Sequence, residues 1–230
     1  MIDIIRMSAS RPDLLKESTE SLIQRLKFSG KLRWIFHEYV LDVSRSNQCI
    51  AYINGLNVDK VLMVDNPPIT HGPSITKLLH STTTPYVIHW EDDYRCERDI
   101  DLDLVCKILD ENPGVNQICF NKRSTMSEKP GFKKKEVVRS GQTLMTNPHW
   151  AFIPAIWRMS YIMPRWKSQG GFIHWYVNRI LKGGRETQSA DWVIANTGTY
   201  YLGGNGESRY SFHIGWKRSL RGNVEQASWE

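Results

Sequence analysis

The first 120 residues alternate short apolar runs with stretches whose apolar residues recur at helical spacing, and this alternation constrains the fold more than any other feature. Residues 2–7 are an apolar run. The Ser8-Ala9-Ser10-Arg11-Pro12 break follows, and Leu14, Leu15, Leu22 and Leu26 then share one helix face. The pattern predicts strand, turn and helix, with Ser10 capping the helix start and Pro12 in its first turn. Residues 32–40 read as a second strand, 45–56 as a helix, and 60–65 as a third strand stopped by Asn66-Pro67-Pro68. A helix over 73–81, a fourth strand over 85–90, a helix over 99–112 and a fifth strand over 115–120 complete the series. Such a succession predicts an α/β fold on a mainly parallel central sheet flanked by helices.

Composition excludes several alternatives. With 230 residues, 40% hydrophobic and 23% charged, the chain can bury a core without disulfide or metal staples, and no internal repeat is visible. Cys49, Cys96, Cys106 and Cys119 form no CxxC pair and read as buried thiols of a reducing compartment. No apolar run is long enough to span a membrane, and Asp3 and Arg6 break up what would otherwise look like a leader, so the expectation is a cytoplasmic protein. Lys and Arg number 30 against 24 Asp and Glu, a formal charge of +6. Much of that excess sits in residues 122–139, where Lys122, Arg123, Lys129, Lys133, Lys134, Lys135 and Arg139 face only Glu128 and Glu136. Anionic partners are favoured by that balance, and a solvated lysine-rich loop explains it equally.

The chemistry concentrates in His89-Trp90-Glu91-Asp92-Asp93-Tyr94. Three carboxylates in a row repel one another unless a cation shares them. Acids at the carboxyl end of a strand stand where open α/β sheets bind ligands, and their oxygens suit Mg²⁺ or Mn²⁺ bridging a diphosphate. A solvated, helix-capping loop is the alternative.

At these residues the chain resembles the GT-A nucleotide-sugar glycosyltransferases, especially the family 2-like members. The matching pieces are Met7-Ser8-Ala9-Ser10-Arg11-Pro12, Gly72-Pro73-Ser74-Ile75 and Thr84-Pro85-Tyr86-Val87-Ile88-His89-Trp90-Glu91-Asp92-Asp93, the last similar to the family's DxD element with Glu91 in place of its first Asp. The resemblance covers roughly residues 2–120. It implies a Rossmann-like GT-A fold and a metal-dependent hexosyl- or pentosyltransferase using a nucleoside diphosphate-sugar, with a UDP-sugar favoured. Ser8, Arg11, Asp65, Glu91 and Asp92 would then surround the nucleotide-sugar. Asp93 would hold Mn²⁺ or Mg²⁺, with His213 in Tyr210-Ser211-Phe212-His213 as a late-arriving further ligand; a lone His on such a run is as readily structural.

After Asn121 the composition shifts to a basic segment and then a Trp-rich half. The chain therefore reads as one domain, 1–230, with a donor-binding half (1–121) and an acceptor-binding half (122–230). An inverting transferase also needs a carboxylate to take the acceptor's proton. Asp191, beside Trp192, is the first choice and Glu186 the second, although either could be a helix cap. Trp150, Trp175 and Trp192 could stack on an acceptor or simply pack the core. The hydroxyl acceptor is a saccharide or glycoconjugate, or a hydroxymethylated base in DNA, which the basic segment favours. Two other readings stand beside this one: a metal-dependent nucleotidyltransferase and a non-catalytic nucleic-acid-binding module.

Overall fold

The computed structural model describes residues 1–67, 71–120, 135–147, 150–166 and 197–215. The first half runs β1 (Ile2–Ser8), α1 (Pro12–Arg25), β2 (Leu26–Lys27), β3 (Leu32–Tyr39), α2 (Val43–Gly55), β4 (Lys60–Asp65), α3 (His71–His80) and β5 (Tyr86–His89). It continues with β6 (Tyr94–Cys96), β7 (Ile100–Asp101), α4 (Leu102–Glu111) and β8 (Gln117–Cys119). The second half adds β9 (Glu136–Arg139), β10 (Gln142–Asn147), β11 (Ala155–Arg158), α5 (Met159–Ile162), β12 (Thr199–Leu202) and β13 (Ser211–His213).

Among the described residues a nine-stranded sheet has the order β4-β3-β1-β5-β11-β8-β12-β10-β9. Only β11 and β10 run against the others, so the sheet is mostly parallel, as the alternation of strand and helix predicts. Strand β11 interrupts the parallel run. That strand arrives from the second half and inserts between β5 and β8, pairing antiparallel with both.

Period-two alternation along the strands divides the core into two layers. Ile4, Ile88, Ile118 and Ile156 face α1, α2 and α4, meeting Leu15, Leu22, Ile53, Val105 and Ile108. Ile5, Ile35, Val87 and Trp157 face the other way and pack with Ile75, Leu78 and Leu79 of α3 and Ile162 of α5. Burying each such side chain contributes about 2 kcal/mol, which is what holds the helices to the sheet.

The helix starts depart from the sequence reading in several places. Ser10 does not cap α1; Arg11 occupies the N-cap position without a side-chain bond. Ser10 instead adopts φ 56°, and its hydroxyl accepts the Leu41 and Asp42 amides at 3.0 and 2.9 Å, tying the turn after β1 to the turn after β3. Helix α2 begins earlier than expected because Asp42 accepts the Arg45 amide at 2.8 Å. Helix α4 begins later because Ile100 and Asp101 are used to pair with Leu26 and Lys27, after which Asp101 caps the Leu104 amide at 3.0 Å.

One buried ion pair fixes the start of β1. Asp3 accepts Arg33 Nε at 2.7 Å, Arg33 Nη2 at 2.8 Å and the Thr83 amide at 2.7 Å. Burial pushes its carboxyl up, but the Arg33 and Thr83 hydrogen bonds outweigh burial and hold it below the usual carboxylate value. A depressed folded pKa gives stability that is present above the unfolded value of about 3.9 and lost as the pH falls through the folded one. The Asp3→Ala substitution is expected to cost about 3 kcal/mol in urea unfolding at pH 7, less as the pH drops below about 4. An equal loss at pH 3 and pH 7 would contradict the assignment.

Candidate active site

The site lies at the carboxyl ends of β1 and β5, adjacent parallel strands. Residues 91–93 leave β5 there, and Ser18 of α1 fixes that turn: its hydroxyl lies 3.2 Å from the Glu91 carbonyl and 2.5 Å from the Tyr94 carbonyl. Across from it, the turn held by Ser10 projects Arg11 over the same edge. Arg11 Nε donates to Asp92 Oδ2 at 3.0 Å and Nη1 to Asp93 Oδ2 at 3.1 Å, while Nη2 donates closely to Asp92 Oδ1. One guanidinium thus clamps both carboxylates.

His213 approaches from β13, which pairs with β6 so that His213 stands opposite Tyr94. The Ile214 amide donates to the Asp93 carbonyl at 2.7 Å, and His213 Nε2 comes within 3.5 Å of Asp93 Oδ2. A Cβ on Gly215 would stand 2.6 Å from Asp93 Cβ and 2.9 Å from its Oδ2, so glycine is required for this approach. Asp93 Oδ1 is buried with no hydrogen-bond partner among the described residues.

The two adjacent acids have opposite electrostatic settings. Burial pushes Asp92 up to about 7 against the pull of Arg11. Burial also acts upward on Asp93, but the hydrogen bonds from His213 and Arg11 outweigh it and hold Asp93 below the usual range. Neighbouring carboxylates driven apart in this way mark functional sites more often than structural loops.

A carboxylate oxygen suits Mn²⁺ or Mg²⁺, an added imidazole nitrogen favours the softer Mn²⁺ over Mg²⁺, and Asp93 Oδ1 is an unpartnered oxygen beside His213. Among the described residues no group of three or more His, Cys, Asp or Glu is gathered as a metal cage. Two protein donors are what a diphosphate-bridging cation asks for, since waters and phosphate oxygens fill the remaining positions.

The other sequence candidates fall in varied places. Ser8 ends β1 with its side chain buried, 3.7 Å from Cys49 Sγ. Asp65 ends β4 on the same sheet edge but is engaged by His37 Nε2 at 2.7 Å and by Lys77 Nζ at 2.5 and 2.6 Å. Glu91 is half-buried at the head of the acidic turn. Trp150 is buried between Trp157 and Tyr161, at ring distances of 5.7 and 5.5 Å, so it packs the core instead of presenting a face to solvent. Glu186, Asp191, Trp175 and Trp192 lie outside the described residues, as does most of the basic segment.

Sequence reasoning overlooked two buried charges. Glu38, at the end of β3, accepts the Ser10 amide at 2.8 Å and a close bond from the Ser46 hydroxyl, anchoring the turn that carries Arg11. Its signal was present, an acid ending an apolar run as Glu91 does. Arg6 sits wholly buried in β1, with Nη2 donating to Ser18 Oγ at 2.8 Å. Burial lowers its pKa to about 10, with Asp92 and Asp93 opposing, so it remains a cation at neutral pH beneath the acidic turn. A lone charge inside an otherwise apolar strand was the clue.

No protein-family model matches the sequence, and no curated protein matches it. Solved structures do match in shape. TarS of S. aureus superposes with a TM-score of 0.56 at 10% identity, over 93% of this chain and 36% of that one. The mannosyltransferase PcManGT of Pyrobaculum calidifontis, in complex with GDP-Man and Mn²⁺, gives 0.54 at 9% identity over 76% of this chain and 50% of that one. Residues 1–349 of TarS, in complex with UDP, give 0.52 at 9% identity over 91% and 59%. The chain has a GT-A-like glycosyltransferase fold. It spans less than two thirds of each of these neighbours. In the GT-A-like frame the acidic turn stands at the sheet edge where parallel α/β sheets gather their ligands. No helix among the described residues is long and apolar enough to cross a membrane.

Proposed function

We propose that the chain is a metal-dependent, family 2-like glycosyltransferase that moves a hexosyl or pentosyl group from a nucleoside diphosphate-sugar, with UDP-sugars favoured, to a hydroxyl acceptor. One observation carries the reading: Asp93, a partly buried carboxylate whose enclosed Oδ1 is unpartnered among the described residues and whose Oδ2 is 3.5 Å from His213 Nε2, at the edge where β1 and β5 end. The neighbours' complexes with GDP-Man and Mn²⁺ and with UDP support the substrate class.

In this reading Asp93 and His213 would hold Mn²⁺ or Mg²⁺, which when bound would supply positive charge to balance a leaving diphosphate. Arg11 holds Asp92 and Asp93 in register. Ser8, Asp65 and Glu91 flank the nucleotide and sugar. Asp191 or Glu186 would take the acceptor's proton, and Trp175 and Trp192 would contact the acceptor.

The test is thermal stability with nucleoside diphosphates and their sugars, each with and without Mn²⁺. A ligand at a hundred times its dissociation constant stabilises by about 2.7 kcal/mol, and the expected shift requires both metal and nucleotide. Turnover that releases a nucleoside diphosphate supports the transferase; release of pyrophosphate from a triphosphate would replace it with a nucleotidyltransferase. Gly215→Ala adds a sharper check. Its Cβ must push Asp93 or β13 aside, so Mn²⁺-dependent nucleotide binding is expected to weaken about tenfold or more, as for other changes behind a metal ligand. Undiminished binding would detach β13 from the site.

A further inference from the structure

The ribbon formed by β6 and β13 has two faces. Tyr94 and His213 pair on the face turned to Asp93, whereas the pair between them and the ribbon's far end, Arg95 and Phe212, projects to the opposite face. On that outer face Arg95, Glu97, Arg98, Ser208, Arg209 and Phe212 line a cavity of about 420 Å³. Its size lies within the roughly 300–1,000 Å³ of small-ligand sites.

The three guanidinium groups are not equivalent. Arg95 is bound by Glu97 at 2.7 Å and Glu17 at 3.1 Å. Arg98 donates to the Ser208 carbonyl at 2.8 Å and stacks 4.4 Å from the Tyr210 ring, with Glu207 at 3.8 Å. Arg209 has no acidic partner among the described residues, and its guanidinium lies 4.0 Å over the Phe212 ring. A planar cation held over an aromatic ring, beside two further guanidinium groups, offers hydrogen-bond donors for a phosphate and planar groups for a nucleobase to stack on. A simple anion would use the charge and leave the stacked plane idle.

We propose that this cavity holds one nucleotide of a nucleic-acid strand, with Arg209 and Arg98 on its phosphate and the Arg209–Phe212 stack against its base. As an acceptor subsite it rests on the transferase reading, since the site of sugar transfer would then lie across the ribbon. As a binding site it does not, and its test needs no turnover.

The experiment follows the anisotropy of a labelled single-stranded oligothymidylate titrated with the whole chain over a range of salt, for the wild type, Arg209→Glu, Arg209→Lys and Phe212→Leu. Melting temperatures of all four verify folding. Arg209→Glu is expected to weaken binding at least about tenfold and to reduce the salt slope by about one. Arg209→Lys should keep the slope and lose part of the affinity, and Phe212→Leu should weaken binding with the slope unchanged, because stacking releases no counterions. The proposal is overturned if folded Arg209→Glu binds as the wild type does, if the wild type does not bind the strand at low salt, or if UDP with Mn²⁺ displaces the strand competitively. The first two results leave the metal-dependent nucleotide shift untouched, and the absence of that shift would sink the donor reading alone.

Discussion

If the chain is the proposed transferase, an Asp93→Asn variant is expected to keep its fold and lose metal-dependent turnover by a factor of about a thousand. Asn preserves the volume beside Gly215 and leaves the main-chain bond from Ile214 to the Asp93 carbonyl in place, so β13 should remain docked. The substitution removes the negative charge and replaces one carboxylate oxygen with a donor that repels a cation. Electrostatic stabilisation of a leaving group by one such feature is worth up to about 4 kcal/mol, which corresponds to that factor. Two measurements check it together: the rate of donor turnover, and the thermal shift produced by nucleotide with Mn²⁺, which should vanish while the shift-free melting temperature is retained. Undiminished turnover would end the metal assignment and return Asp93 to a structural role.

Removal of Arg11 should act mainly on stability. Its guanidinium is the counter-charge clamped across Asp92 and Asp93, and the Asp92 side chain is only 1% exposed. Deleting one partner of a buried pair leaves an uncompensated charge, at a cost of about 3–5 kcal/mol; the partial exposure of Arg11, 19%, points to the lower end. Arg11→Ala is therefore expected to unfold about 3 kcal/mol more easily in urea at neutral pH. Adding Asp92→Asn in the same chain removes the buried acid that has lost its counter-ion and should recover a substantial part of that loss, so the two changes are strongly non-additive. Simple additivity would mean that the clamp is not the source of the effect. Arg6 remains beneath the turn in every variant and keeps Ser18 in place, which separates loss of the clamp from collapse of the loop.

Much of the first half was legible in the sequence. Strand and helix periods are set by local chain geometry, so β1, β3, β4 and β5 appear in the sequence close to where the structure has them, and the acids at 91–93 announce themselves by ending an apolar run. Helix starts were less legible, because a capping residue is chosen by competition: Ser10 matches a cap by type, yet its hydroxyl is taken by the Leu41 and Asp42 amides. The tryptophans show the same limit. Their clustering in one half was visible, but only packing distinguishes Trp150, enclosed by Trp157 and Tyr161, from a residue that faces a ligand.

The sequence by itself determined the α/β alternation, the parallel run of the first strands and the position of the acidic turn at a strand's carboxyl end. Tertiary structure alone decided that β11 inserts antiparallel beside β5, that Arg11 closes over both aspartates, and that His213 and Gly215 reach Asp93 from the other end of the chain. The division has a physical cause. Periodicity is enforced between neighbours in sequence, whereas the pairing of charges depends on which strand edges meet, and that is settled by closure of the whole sheet and burial of its two apolar faces.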